Sequence, residues 1–381
     1  MTIQLALIRQ RYNPYGGAER FVASALEALQ RQGQNAQQKL ALTLITREWT
    51  GEAQKHRVIE CPSHFVGRLW RDIAFARCVR KILREERFDL VQSHERIPGC
   101  DIFRAGDGVH AAWLEQRARG QSFPARASDR INSWHRYILA SERQLFSDPR
   151  LKAVICISEL VRNDILRFYP VAADKLHVIY NGIDLAHFHP SLAQTYRQPI
   201  RTQYGIAQDA PLFIFVGSGF ERKGVAALLS AFTAAPDTAR LFIIGYDKHA
   251  RRYVHQAERL GLRRRVIFTG GIADVRPYYA AADVFIMPTR YEPLSNAVLE
   301  ALSCGLPAIV SQQCGAAELI TPGRNGAVCD ALDIEALRQS IAELSGTGVA
   351  ASMRDEARRA VAHLGVEAMT QRLMALYASL L

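Results

Sequence analysis

Short apolar runs, rich in branched and aromatic side chains, alternate along the chain with stretches whose apolar positions recur at helical spacing. In the first half the runs are Ile3–Ile8, Leu40–Ile45, Leu90–Gln92, Asp101–Arg104 and Val154–Ile157. In the second they are Leu212–Val216, Leu241–Ile244, Val266–Thr269, Val284–Met287 and Ala308–Val310, each followed by a helical pattern or a glycine-rich turn. Such alternation predicts an α/β fold with mostly parallel sheets. A chain of 381 residues exceeds what one core usually spans, so two open sheets in two domains are expected. The Asn-Gly turn in Val178-Ile179-Tyr180-Asn181-Gly182-Ile183-Asp184 and the polar stretch from Pro190 to Pro199 mark the junction. The expected boundaries are 1–178, 179–360 and a C-terminal helix in 361–381 that packs back on the first domain.

Ligands of such sheets bind outside the carboxyl ends of the strands, which directs attention to the loops there. After the first strand, Tyr15-Gly16-Gly17-Ala18-Glu19-Arg20 opens a helix over Phe21–Leu29; two glycines beside a positive helix N-terminus suit a phosphate, and equally a plain tight turn. In the second half, Gly217-Ser218-Gly219-Phe220-Glu221-Arg222-Lys223-Gly224 puts two cations where a helix through Leu228, Leu229 and Phe232 begins. Cations oppose the helix dipole at that end, so Arg222 and Lys223 call for an anion, and a diphosphate fits.

The most informative segment is Arg290-Tyr291-Glu292-Pro293-Leu294-Ser295-Asn296-Ala297-Val298-Leu299-Glu300-Ala301. Pro293 fits the first helical position. Glu292 is then expected in the loop before the helix, Glu300 about two turns inside it, and the amides of Leu294 and Ser295 as anion donors. Glu300 sits among Ala297, Leu299, Ala301 and Leu302, where a carboxylate needs a partner. Carboxylates around a positive cluster can recognise the sugar and ribose hydroxyls at either end of a nucleotide sugar's diphosphate.

The Glu292 to Glu300 spacing resembles the E-x7-E motif of the family 4 retaining glycosyltransferases, which have the GT-B fold: two Rossmann-like domains facing across a cleft. Gly16-Gly17-Ala18-Glu19-Arg20, Asn181-Gly182-Ile183-Asp184, Arg222-Lys223-Gly224, Gly305-Leu306-Pro307 and Glu318-Leu319-Ile320 fall in the family's order. The resemblance implies an N-terminal acceptor domain and a C-terminal donor domain. It further implies that Gly16 and Gly17 lie against the donor phosphate, Arg222 and Lys223 hold the diphosphate, Glu300 binds ribose and Glu292 contacts the transferred sugar. The donor is then a nucleotide sugar, UDP being the commoner carrier, with no other cofactor. No DxD cluster is evident, and no metal is expected, the two cations and the helix dipole stabilising the leaving diphosphate.

Acceptor recognition and proton transfer belong on loops of the N-terminal domain. The candidates are His94, Asp107 and His110, with a glycine on each side of Asp107 permitting close approach; each histidine reads equally as structural. Asp107 is expected to orient a sugar. A dedicated base is dispensable if a phosphate oxygen takes the acceptor proton.

Charge sharpens the acceptor. The net charge of +11 is uneven: residues 1–180 carry 28 Lys+Arg against 19 Asp+Glu, or +9, leaving 20 against 18, or +2, for the rest. Arg68, Arg71, Arg77, Arg80, Lys81 and Arg84 cluster around one amphipathic helix; Arg117, Arg119, Arg126, Arg130, Arg136 and Arg143 follow, with Trp113, Trp134 and Tyr137 among them. Peripheral association with an anionic membrane and an anionic, lipid-linked saccharide acceptor would explain both clusters, as would solvated charged faces. Leu7–Tyr12 and the Ile97-Pro98-Gly99-Cys100-Asp101 segment are most similar to bacterial lipopolysaccharide inner-core transferases. The apolar start reaches Arg9 too soon for a signal segment, so a location at the cytoplasmic face of the inner membrane is expected. The seven cysteines show no CxxC pair or metal spacing and are expected to be mostly reduced core residues. No nucleic-acid-binding motif accompanies the high charge, so nucleic acid is not an expected partner. Within the same fold, a phosphorylase would need a pyridoxal-bearing lysine, and an epimerase would need no acceptor.

Overall fold

The computed structural model describes residues 2–12, 39–49, 57–61 and 65–381. Two compact units emerge: residues 1–182 with 366–381, and residues 183–365. The expected division at 178/179 and 360/361 therefore moves by several residues at each crossing.

In the first unit the strands are β1 (Thr2–Ile8), β2 (Arg11–Tyr12), β3 (Lys39–Thr46), β4 (Glu48–Trp49), β5 (Arg57–Glu60), β6 (Leu90–Ser93), β7 (Ile102–Arg104), β8 (Ala153–Cys156) and β9 (Leu176–Val178). The helices are α1 (Arg68–Glu85), α2 (His110–Arg119), α3 (Phe123–Ile131), α4 (Ser133–Phe146) and α5 (Glu159–Phe168). Seven strands form a parallel sheet ordered β5-β3-β1-β6-β7-β8-β9. Its core packs Leu5, Leu7, Leu44, Leu90, Ile102 and Ile155 with Met369, Leu373, Leu376 and Tyr377 of the C-terminal helix Val366–Leu380. A Cβ on Gly182 would lie 2.7 Å from the Val366 Cα, so glycine is needed at this position, where the helix begins.

The second unit contains α6 (Leu192–Gln203), β10 (Leu212–Val216), α7 (Val225–Phe232), β11 (Arg240–Ile244), α8 (Ala250–Arg259), β12 (Val266–Gly270), α9 (Arg276–Ala281), β13 (Val284–Met287), α10 (Asn296–Ser303), β14 (Ala308–Ser311), β15 (Gly326–Cys329), α11 (Ile334–Leu344), α12 (Val349–Ser352) and α13 (Arg354–Val361). Its six strands are all parallel, ordered β12-β11-β10-β13-β14-β15. Strands β13 and β14 are buried at every position, as expected of a parallel sheet covered on both faces.

One expectation is corrected. The polar stretch from Pro190 to Pro199 is no linker: α6 runs through Pro199, tied down by Arg197 and Arg201 on Asp283 at 2.7 and 2.6 Å. Arg201 is fully buried, and its guanidinium donates to the carbonyls of Ala207, Ala210 and Ala281. The cysteines are mostly reduced core residues, as expected, except that Cys61, just after β5, and Cys78 in α1 form a disulfide. The other five are buried, and burial pushes the thiols of Cys100, Cys156, Cys304 and Cys314 up to about 12.

Candidate active site

Each sheet reverses its winding direction once, between β1 and β6 in the first unit and between β10 and β13 in the second. The loops at the carboxyl ends of the strands flanking such a switch point form the natural ligand crevice of an α/β sheet. In the second unit those are the loops 217–224 and 288–295, which hold the motif residues.

Gly224 brings the two loops together. It adopts φ +78° at the N-cap of α7, and a Cβ there would lie 1.9 Å from the Pro288 carbonyl oxygen. The Arg222 carbonyl accepts from the Arg290 amide at 2.8 Å and the Thr289 hydroxyl at 3.1 Å. Glu292 is fixed by its backbone, its amide donating to Gln313 and its carbonyl accepting from Gly315. Lys223 lies over Gly217, where a Cβ would meet its side chain at 2.7 Å.

One Glu292 carboxylate oxygen accepts from Arg222 at 2.7 Å and lies 3.0 Å from the Lys223 ammonium. Burial works against the carboxylate's charge, but Lys223 and Arg222 outweigh it and hold its pKa below the usual range. The cations expected to require an anion thus meet one supplied by the protein. One carboxylate cannot neutralise both, so the cluster keeps a net positive charge.

Helix α10 starts at Asn296, three residues after the expected Pro293, with the Ser295 hydroxyl accepting from the Val298 amide as N-cap. The Leu294 and Ser295 amides therefore precede the helix, and that of Ser295 lies beside the buried Cys314 thiol. Glu300, the fifth helical residue, stands little more than one turn in rather than two. It is 6% exposed and accepts a hydrogen bond from the Tyr279 hydroxyl at 3.0 Å. Nothing in the spacing pointed to Tyr279, which arrives from α9.

In the first unit the corresponding loops follow β1, β6 and β7. Arg9 lies 3.5 Å from Glu95 and 3.9 Å from Asp107, whose side chain is half-exposed. Gly106 serves Arg104, whose guanidinium a Cβ would meet at 2.7 Å, while the Gly108 carbonyl accepts from Arg96. Both glycines thus shape the Asp107 loop from within the protein. Arg104 donates to Asn181, and its pKa falls to about 9 through burial and the nearby Arg9.

His110 opens α2 but turns inward, its Nε2 lying 2.9 Å from the His135 Nδ1, with Trp134 edge-on. Burial, Arg96 and His135 lower its pKa to about 3, leaving a weak base unlike the near-neutral group suited to proton transfer. His94 is likewise buried, hydrogen-bonded to Gln92 and held well below its usual pKa by burial, Arg104 and Arg9. The hub beneath this loop is Glu142, 1% exposed, which accepts from Arg96, the His110 amide and the Tyr169 hydroxyl. A lone Glu in a helical pattern carried no signal of that role. Gly16, Gly17 and the expected helix Phe21–Leu29 lie outside the described residues.

A family model described as Glycosyltransferase Family 4 matches residues 15–187, and one described as Glycosyl transferases group 1 matches residues 197–360. The chain belongs to the family 4 glycosyltransferases. This glycosyltransferase is 27% identical to the lipopolysaccharide glucosyltransferase WaaG of Escherichia coli (strain K12) over 329 residues, 85% of this chain and 84% of that one. A crystal structure of WaaG matches its fold with a TM-score of 0.83 at 24% identity, covering 98% of this chain and 99% of the other. HepE of Anabaena, in complex with UDP and glucose, matches with a TM-score of 0.72 at 20% identity, covering 99% and 100%. These matches establish the glycosyltransferase's GT-B fold.

Proposed function

We propose that the protein transfers a hexose or N-acetylhexosamine from a UDP-sugar to a sugar of the lipopolysaccharide inner core, with retention of configuration and without a bound metal. The reading rests above all on Arg222 and Lys223 converging on Glu292 at the switch point of the second sheet, with Glu300 buried beyond. The name of WaaG supports the acceptor class, and the UDP and glucose bound to HepE support the donor class.

A diphosphate brings the negative charge this cluster lacks. On binding it takes over Arg222 and Lys223, and the released Glu292 carboxylate accepts from a hydroxyl of the transferred sugar. Glu300, oriented by Tyr279, accepts from the ribose hydroxyls. The backbone around Leu294 and Ser295 adds dipoles. As the bond from the anomeric carbon to the diphosphate breaks, the acceptor oxygen bonds to the same face and its proton passes to a phosphate oxygen. Arg222 and Lys223 stabilise the charge on the leaving group, which a metal would otherwise do. Asp107, beside Arg9, orients the acceptor or the transferred sugar, and His110 supports that loop.

The basic first unit suits an anionic, lipid-linked acceptor, with the enzyme held peripherally at the cytoplasmic face of the inner membrane. Among the described residues no helix is long and apolar enough to cross a membrane. A second reading keeps the donor site and changes the acceptor to another lipid-linked saccharide or a polysaccharide.

The test is transfer from UDP-sugars to purified core oligosaccharides, with the anomer read by NMR and the assay repeated with a chelator. Retained configuration, UDP dependence and chelator resistance are expected. An inverted product, or activity lost to the chelator, would overturn the corresponding part.

A further inference from the structure

A groove of about 730 Å³ on the first unit is lined by none of the candidate site residues described above. One wall is α1, with Arg77, Arg80, Lys81 and Arg84; the other is the Pro98-Gly99 segment and the Asp148–Arg150 turn. These last two segments lead into β7 and β8, where the Asp101 carbonyl accepts from the Lys152 and Ala153 amides. The groove therefore sits toward the amino ends of those strands, opposite the carboxyl ends where the sheet's active-site loops gather.

Five cations share this groove with one carboxylate. Asp148 is engaged by the Arg150 amide at 2.9 Å, and Lys81 reaches Glu85 only at 3.8 Å with both side chains well exposed. Among the described residues no carboxylate pairs with Arg77, Arg80, Arg84 or Arg150. Like charges three and four positions apart on a helix destabilise it, and guanidinium forks match phosphate oxygens, so the arrangement favours a bound phosphate. The same helix face carries Trp70, seven residues before Arg77 and 60% exposed. An exposed indole beside a cationic groove has the make-up of a membrane-interface contact.

We infer that this groove binds the phosphorylated headgroup of a membrane lipid, with α1 laid against the bilayer and Trp70 at the interface. The inference rests on the reading that the protein works at an anionic membrane, and gives that association a specific site.

The test is flotation of the full chain with phosphatidylcholine vesicles, with and without phosphatidic acid, alongside melting curves with UDP to show that the donor site is intact. Binding that requires phosphatidic acid is expected. It should weaken about fivefold for each cation removed from Arg77→Gln, Arg80→Gln, Lys81→Gln and Arg84→Gln. Arg150→Gln, on the other wall, should weaken it similarly, which a flat helix face would not require. Removing equal charge from the second unit (Arg251→Gln, Arg259→Gln, Arg263→Gln and Arg264→Gln) should change binding far less; an equal loss would reduce the groove to bulk charge and overturn the inference. Groove variants that bind like the parent would overturn it while leaving membrane association standing. No binding by the parent would sink both. A melting shift of the parent with free pyrophosphate, lost in the groove variants, together with no vesicle binding, would replace the lipid by a soluble anion.

Discussion

The two units use the same sheet winding but stabilise their charged loops in opposite ways. In the second, two cations and a carboxylate meet at the surface end of the sheet, close to charge balance but with a positive excess. In the first, the charge is drawn inward: Glu142 gathers Arg96, an amide and a hydroxyl, two histidines are kept neutral, and Asp107 is left half-exposed above them. A site built from ion pairs can exchange one anion for another, whereas a buried network mainly holds a loop in shape. The difference separates the proposed ligand-binding residues from scaffold residues, and several substitutions can break or sharpen it.

The largest effects should come from the scaffold of each unit. Gly224→Ala puts a methyl group onto the Pro288 carbonyl at a left-handed φ and should cost roughly 3 kcal/mol or more. Gly219→Ala has the same φ but open space and should cost about 1 kcal/mol. Glu142→Ala leaves Arg96 without its buried partner and should destabilise the first unit by about 3–5 kcal/mol. Chemical denaturation followed by hydrogen exchange would show which unit each change affects; equal losses for the two glycines would refute the close-approach argument.

Intermediate effects belong to the proposed donor site. Lys223→Ala and Glu300→Ala should each remove a charge-assisted interaction and weaken UDP binding by about 10- to 100-fold with folding intact. Glu292→Gln should leave UDP binding as strong or stronger, because the cations are released, while turnover falls by about 100-fold or more. Calorimetry and steady-state kinetics together test this split. Weaker UDP binding by Glu292→Gln would mean that the carboxylate organises the cations rather than competing for them.

Acid should separate the units more gently. Unfolded His110 takes a proton below its ordinary value of 6.5, whereas the folded residue resists until about 3, so its contribution to stability is lost as pH falls through that interval. Glu292, held below its ordinary value by Lys223 and Arg222, keeps its contribution until the carboxylate range is reached. Glu95 partly offsets the loss in the first unit, because burial raises its pKa and protonation relieves the penalty. Hydrogen exchange at about pH 5 should show β6–β8 weakened before β13 and β14, with His110→Phe reducing the difference. Last, Asp107→Asn should change stability by no more than about 0.5 kcal/mol while lowering turnover. A large loss of stability would reassign Asp107 to the scaffold.

Much of this organisation was legible in the chain. The ten apolar runs appear as strands with ends shifted by a residue at most, because a strand covered on both faces must be apolar almost throughout. The charged cluster of the second unit was legible because its residues lie in two short segments at strand ends. Its details were less so: Pro293 suggested a helix start that Ser295 provides instead, since an N-cap hydroxyl satisfies an amide that proline merely lacks. The short strands β5, β9 and β15 and the Cys61–Cys78 bond depend on partners in other segments of the chain, which local pattern does not encode.

The sequence by itself determined the fold class, the family motif order and the two short segments that carry the cations and the carboxylates, because periodicity and close spacing are local properties. Only the tertiary structure decided that Glu292 pairs with both Arg222 and Lys223, that Tyr279 reaches Glu300, and that His110 is buried against His135 while Asp107 stays open. Each of these depends on which strand ends lie side by side, and the polar or buried state of a side chain follows from the neighbours that folding brings to it.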